Sequence, residues 1–176
     1  MSTFQLAWGQ KVSPAFRAKV LDICRGFGWS NDHASWLMSC MAFESGETFS
    51  PSVKNAAGSG ATGLIQFMPA TARGLGTTTA DLATLTAEQQ LDFVKQYFKP
   101  YAARVKSLPD MYMAILLPKF VGQSESAVLF SEGIAYRQNA GLDANRDGRV
   151  TKAEAASKVA AKLSKGMANA TEEPSV

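Results

Sequence analysis

Trp36-Leu37-Met38-Ser39-Cys40-Met41-Ala42-Phe43-Glu44-Ser45-Gly46 reads as the end of a buried helix that carries a single carboxylate. Leu37, Cys40 and Met41 precede Glu44 at helical spacing, so all four share one face. Ser30 or Asn31 caps the start of this helix, and Gly46 followed by Pro51 stops it. An acid on an apolar face has its anion disfavoured by desolvation. Glu44 also falls in the last turn, where the negative end of the helix dipole opposes a carboxylate. Both effects raise its pKa toward what a general acid needs near neutral pH. Read by position alone, the alternative is a helix-terminal glutamate turned to solvent.

Downstream, a Gly-rich loop leads into Gly63-Leu64-Ile65-Gln66-Phe67-Met68-Pro69-Ala70-Thr71-Ala72. The Glu44-Ser45 pair and this second stretch together resemble the soluble lytic transglycosylase family, relatives of goose-type lysozyme that cleave the glycan strands of peptidoglycan. The family joins a Glu-Ser pair at a helix end to Gly-Leu-x-Gln-x-Met-Pro-x-Thr-Ala. Phe67 departs from it, standing in a usually aliphatic slot. The likeness is specific over Phe43 to Ala72 and continues, by order of helices, to about Gly122. It implies a mainly α, lysozyme-like single domain with a short β-hairpin or loop region after the catalytic helix. By position it makes Glu44 the acid that protonates the glycosidic oxygen between N-acetylmuramic acid and N-acetylglucosamine. Ser45, Gln66 and Met68 would line the sugar groove, and Gly63 would let the backbone approach the substrate. For Gln66 and Met68 the alternative is turn and core packing.

The family also carries an Ala-Tyr-Asn-Ala-Gly stretch whose tyrosine lies near the acid, and two segments here compete for that place. Helix order favours Met113 to Pro118, which lacks a tyrosine at the expected spot although Tyr112 adjoins it. Sequence similarity favours Ala135-Tyr136-Arg137-Gln138-Asn139-Ala140-Gly141, with two extra residues. The second is preferred, which puts Tyr136 and Asn139 among the groove residues and marks a divergent branch.

Hydrolysis of a glycoside commonly uses two carboxylates, about 5–5.5 Å apart for retention or about 6.5–9.5 Å for inversion. A lytic transglycosylase, as the resemblance implies, works with one. After giving its proton, Glu44 would take another from the muramic C6 hydroxyl, which closes a 1,6-anhydro ring where water would otherwise attack. Glu47, Asp32, Asp81 and Asp110 are available as second acids, and no spacing singles one out. The single-acid transglycosylase is therefore preferred over a muramidase.

Asp143-Ala144-Asn145-Arg146-Asp147-Gly148-Arg149-Val150-Thr151-Lys152-Ala153-Glu154 matches an EF-hand calcium loop. Asp143, Asn145 and Asp147 supply side-chain oxygens, Gly148 the sharp turn, Arg149 its backbone carbonyl, and Glu154 a chelating carboxylate. Calcium in one isolated loop reads as a structural clip. The alternative is a degenerate loop without metal, its negative field weakened by Arg146 and Arg149.

The rest of the chain reads as helical. Ser13-Pro14 opens a helix that Gly26 or Gly28 ends. Pro69 opens another, Thr86 with Gln89 forms a capping box, and Pro109 precedes a helix to Leu117. Later helices are expected over about 125–139 and 151–165. Residues 1–168 form one domain, and 169–176 a polar, frayed tail. Among 176 residues, Cys24 and Cys40 are the only cysteines and His33 the only histidine, which excludes a disulfide scaffold and a Cys/His zinc cluster. Cys24 and Cys40 are expected as free core thiols. Basic residues number 18 and acidic 15, a net +3 that suits an anionic cell wall and discriminates weakly. Residues 58–63 fit G-x-G-x-x-G but follow no strand, so no dinucleotide site is assigned. Nothing supports nucleic-acid binding, and no run approaches the roughly 18 apolar residues of a membrane span. With no secretory signal at the N-terminus, the reading is a monomeric phage enzyme acting on the periplasmic wall. It would wait in the host cytoplasm for a holin or travel in the virion. A noncatalytic glycan-binding virion protein and a calcium-binding interaction module are the rival classes.

Overall fold

Six of the eight helices begin where a hydroxyl side chain, that of Ser13, Ser30, Thr78, Thr86, Ser107 or Thr151, accepts a free backbone N–H of the first turn. In the computed structural model, which describes residues 1–176, Ser13, Ser30, Thr86 and Thr151 cap α1 (Pro14–Phe27), α2 (Asn31–Glu44), α5 (Ala87–Phe98) and α8 (Lys152–Met167). Between them lie α3 (Pro69–Gly74), α4 (Thr79–Thr84), α6 (Leu108–Leu116) and α7 (Gly133–Asn139). The domain is mainly α, as expected of a lysozyme-like fold.

Helix α2 is the axis. Its residues from Ala34 to Ala42 are buried except Trp36, so it has no solvent face along its middle and needs neighbours on every side. Helices α1, α6 and α8 supply them, while α5 backs α1. Cys24 and Cys40 are both buried and both free, as expected. One core of 35 buried residues runs from Leu6 to Val159.

Two expectations fail for the same reason, long-range strand pairing. Residues 125–139 do not form one helix: β2 (Val128–Phe130) pairs antiparallel with β3 (Val150–Thr151), and only α7 remains helical. The tail is not frayed, because β4 (Thr171–Pro174) pairs antiparallel with β1 (Thr3–Leu6), in register Thr3 to Pro174 and Leu6 to Thr171. Helix α4 stands where no element was foreseen, capped by Thr78. No helix is long and apolar enough to cross a membrane.

Candidate active site

Glu44 is the last residue of α2, and the chain turns away from it through left-handed backbone at Gly46, Glu47 and Phe49. Such φ values are uncommon for Glu and Phe and must be held by their surroundings. Phe49 is buried with its ring at 6.2 Å from Trp8 and 5.9 Å from Phe16. The Glu47 carboxylate pairs with Lys162 and Lys165 of α8. Those two lysine hydrogen bonds pull its pKa down to about 2. Ser45 is also buried here, and its Oγ accepts from the Phe49 N–H at 2.9 Å. Its expected place in the sugar groove is corrected: it braces the turn behind Glu44.

Residues Thr62 to Phe67 fold into a tight hairpin, with Thr62 and Phe67 exchanging N–H···O bonds of 3.0 and 2.9 Å. Gln66 takes left-handed backbone, and its side chain donates to the carbonyls of Val53 and Gly63. Gln90 of α5, fully buried, fixes this hairpin. Its Oε1 accepts from the Leu64 N–H at 2.8 Å, and its Nε2 donates to the carbonyls of Pro51 and Leu82. At Gly63, with φ of 87°, a Cβ would stand 2.3 Å from that Oε1. The close approach at Gly63 is made to Gln90, and Gly63 is not among the residues that line the cleft at Glu44.

Glu44 opens into a cleft of about 620 Å³, within the usual size of a ligand site. Gln66 and Met68 line it from the hairpin, Ile115 and Leu116 from the end of α6, and Gln138 and Asn139 from the end of α7. Burial alone raises the Glu44 carboxyl to about 7, since no neighbouring charge or hydrogen bond opposes it. Gln66, Met68 and Asn139 line this cleft together with Glu44, and Gln66 serves its turn as well. Gln138, one residue before Asn139, joins them unforeseen.

Tyr136 does not. Its hydroxyl donates to Asp143 Oδ2 at 2.7 Å, and Tyr136 borders a separate cavity together with Asp143 and Arg146. The order of helices gives the better match: α6 walls the cleft, and buried Tyr112 sits edge-on to Phe43 at 5.6 Å. Burial and then the charge of Glu44 push the Tyr112 phenol up.

None of the four other candidate acids lines the cleft. Glu47 is held by two lysines, Asp110 by Lys152 Nζ at 2.6 Å, and Asp81 lies at the start of α4. Asp32 borders a separate cavity at the opposite end of α2.

In the loop 143–154, one ligand oxygen each from Asp143, Asp147 and Glu154 lies within 4.8 Å of the others. Asp143 accepts from the N–H groups of Asp147 and Gly148, and Glu154 from those of Ala144 and Asn145. Asn145 turns its Oδ1 to the Asp147 N–H, and Gly148 takes φ of 83° at the bend. Val150 is fully buried and ties the loop to β2. This donor set, three carboxylates and an amide oxygen, suits a hard divalent cation.

A family model described as phage tail lysozyme matches residues 16–158, which take in Glu44, the cleft and the acidic loop. Comparison with curated proteins and with solved structures returns no match.

Proposed function

This chain belongs to the phage tail lysozyme family, and on that premise we propose that it is a single-acid lytic transglycosylase. The family makes it a lysozyme-like phage protein that degrades peptidoglycan. The finer reading rests on one observation: Glu44 is the single carboxylate lining the cleft, and burial raises its pKa to about 7, so that both its acid and base forms are present near neutral pH.

The protonated Glu44 gives its proton to the oxygen linking N-acetylmuramic acid to N-acetylglucosamine. The C1–O bond breaks with its electron pair left on that oxygen, and the N-acetylglucosamine end departs as an alcohol. The C6 hydroxyl of the muramic ring then bonds to C1, and its proton returns to the Glu44 carboxylate. One group serves as acid and base in turn, and no water is consumed. Gln66 and Asn139, with Gln138, offer uncharged hydrogen-bonding partners for hydroxyl and acetamido groups.

Mass analysis of muropeptides released from purified walls tests this. The expected fragments end in 1,6-anhydromuramic acid, one water lighter than the hydrolytic products that a muramidase would give. Glu44→Gln is expected to lower release by about 10²–10⁴-fold, and an unimpaired variant would remove Glu44 from the reaction.

The loop 143–154 is proposed to hold calcium through Asp143, Asn145, Asp147, the Arg149 carbonyl and Glu154, supported by the convergence of its carboxylates. Calcium there is a clip, joining the segment that carries Tyr136 to the start of α8. The protein is proposed to act as a monomer on the periplasmic wall. The family's description as a tail lysozyme favours carriage in the virion over release through a holin.

A further inference from the structure

Glu47 does not line the cleft, yet it is tied on one side to the last turn of α2 and on the other to α8. Its backbone N–H donates to the Ala42 carbonyl at 2.7 Å, within the turn that carries Glu44. Its carboxylate accepts from Lys165 Nζ at 2.8 and 2.9 Å and from Lys162 Nζ as well. We propose that Glu47 is a positioning residue for the reaction: by pinning the end of α2 to α8, it holds the Glu44 carboxyl buried at the head of the cleft. The inference rests on Glu44 being the acid.

The pin holds a backbone that needs holding. Glu47 has φ of 67°, a conformation open to glycine and disfavoured for a residue with a side chain. Such a residue persists where its surroundings over-determine it, and here the two ammonium groups do so. Their anchor is fixed in turn. The Lys162 carbonyl accepts from Trp8 Nε1 at 3.0 Å and the Gly166 carbonyl from the Trp8 N–H at 2.9 Å. A Cβ on Gly166 would stand 2.3 Å from Trp8 Nε1, so α8 and Trp8 are in direct contact. The Glu47 side chain is only 19% exposed, which spares the pair much of the screening that weakens surface ion pairs.

A general acid has to come within about 2.6–3.2 Å of the oxygen it protonates, and its raised pKa lasts only while it stays out of water. Both conditions follow the position of the last turn of α2. The other titratable groups that bear on Glu44 are Cys40 of α2, Tyr97 of α5 and Tyr112 of α6. Burial raises all three, so they are uncharged near neutral pH and hold Glu44 by no ion pair.

Kinetics on soluble glycan strands test the pin from both ends, with Glu47→Gln and with Lys162→Met joined to Lys165→Met. Each should lower kcat about tenfold and leave KM unchanged, because none of the three residues lines the cleft. Each should also move the high-pH limb of activity, set at about 7 by Glu44, down by about one pH unit as water reaches the carboxyl. Combining them should do no more than either alone. Glu47→Gly suits the left-handed backbone and lacks the carboxylate, so it should show both changes in a folded protein. An unmoved kcat and pH limb, or a loss that only tracks Tm, would overturn the positioning role. Glu44→Gln separates the two readings. If it still cleaves, the acid itself is misassigned; if it is inactive while the Glu47 variants keep kcat and pH limb, only the pin falls.

Discussion

Glu44 is held uncharged by its place at the end of a buried helix, and that has two consequences with opposite signs. For the reaction, the protonated form is the competent one. Activity should therefore fall about tenfold per pH unit above about 7, as a pH–rate profile would show. For the fold, ionisation is a cost. The carboxyl pKa is raised from 4.5 to about 7, so below the lower value both folded and unfolded chains carry the proton and nothing is lost. Between about 4.5 and about 7 the unfolded chain gives up this proton while the folded one keeps it, so stability falls across that window and the loss is complete above about 7. Glu44→Gln is thus expected to melt roughly 3–8 °C higher than the unaltered protein at pH 8, from about 1–3 kcal/mol, and equally at pH 4. Glu44 was legible only in part from its apolar neighbours at helical spacing, which left a solvent-facing glutamate open; the stretch from Gly63 to Ala72 singled it out by resemblance. Gln90 was legible in principle, since it stands four residues before Val94 and eight before Phe98 on the buried face of α5. A buried amide there has to bond something, but what it bonds lies in a different loop. Tyr136 misled for a related reason: similarity placed it in the groove, while its hydroxyl follows Asp143.

Elements show where local signals suffice. Four of the six hydroxyl-capped helices start as read, because a cap and its N–H lie within one turn of each other. Strands β2 and β4 are three and four residues long and owe their form to partners far along the chain, so no local pattern announces them. The 62–67 hairpin depends in the same way on α5. Gln90→Ala would leave the Leu64 N–H and the carbonyls of Pro51 and Leu82 unpaired. A loss of about 2–4 kcal/mol is expected by urea denaturation, with wall cleavage reduced as the cleft floor loosens. At the other end of the molecule, α8 starts on the acidic loop and buries Lys152 against Asp110 and the carbonyls of Phe120 and Gln123. The loop, α8 and α6 are thereby one assembly. Saturating calcium should raise Tm by about 5–10 °C over the chelated protein, and Glu154→Gln should abolish the rise. Equal melting curves in calcium and chelator would refute the metal site.

At the scale of the molecule, the two ends of the chain are bound to each other. The β1–β4 pair is reinforced by an Arg17–Glu173 ion pair and by the packing of Thr171 against Gly9, where an added Cβ would clash. Deleting 171–176 should lower Tm by roughly 5–10 °C, measured by calorimetry. Cleavage at 25 °C should persist, since none of the deleted residues lines the cleft. The clasp also sets how the protein meets tension. Ser2 and Ser175 are hydrogen-bonded neighbours, so a pull on the two ends loads the ladder from its open end, first at Thr3 and Pro174, last at Leu6 and Thr171. Each rung bears the load alone, as in a zipper, and none shares it in shear. A protein threaded by its ends would shed this clasp at low force, before the helices around Glu44 felt the strain.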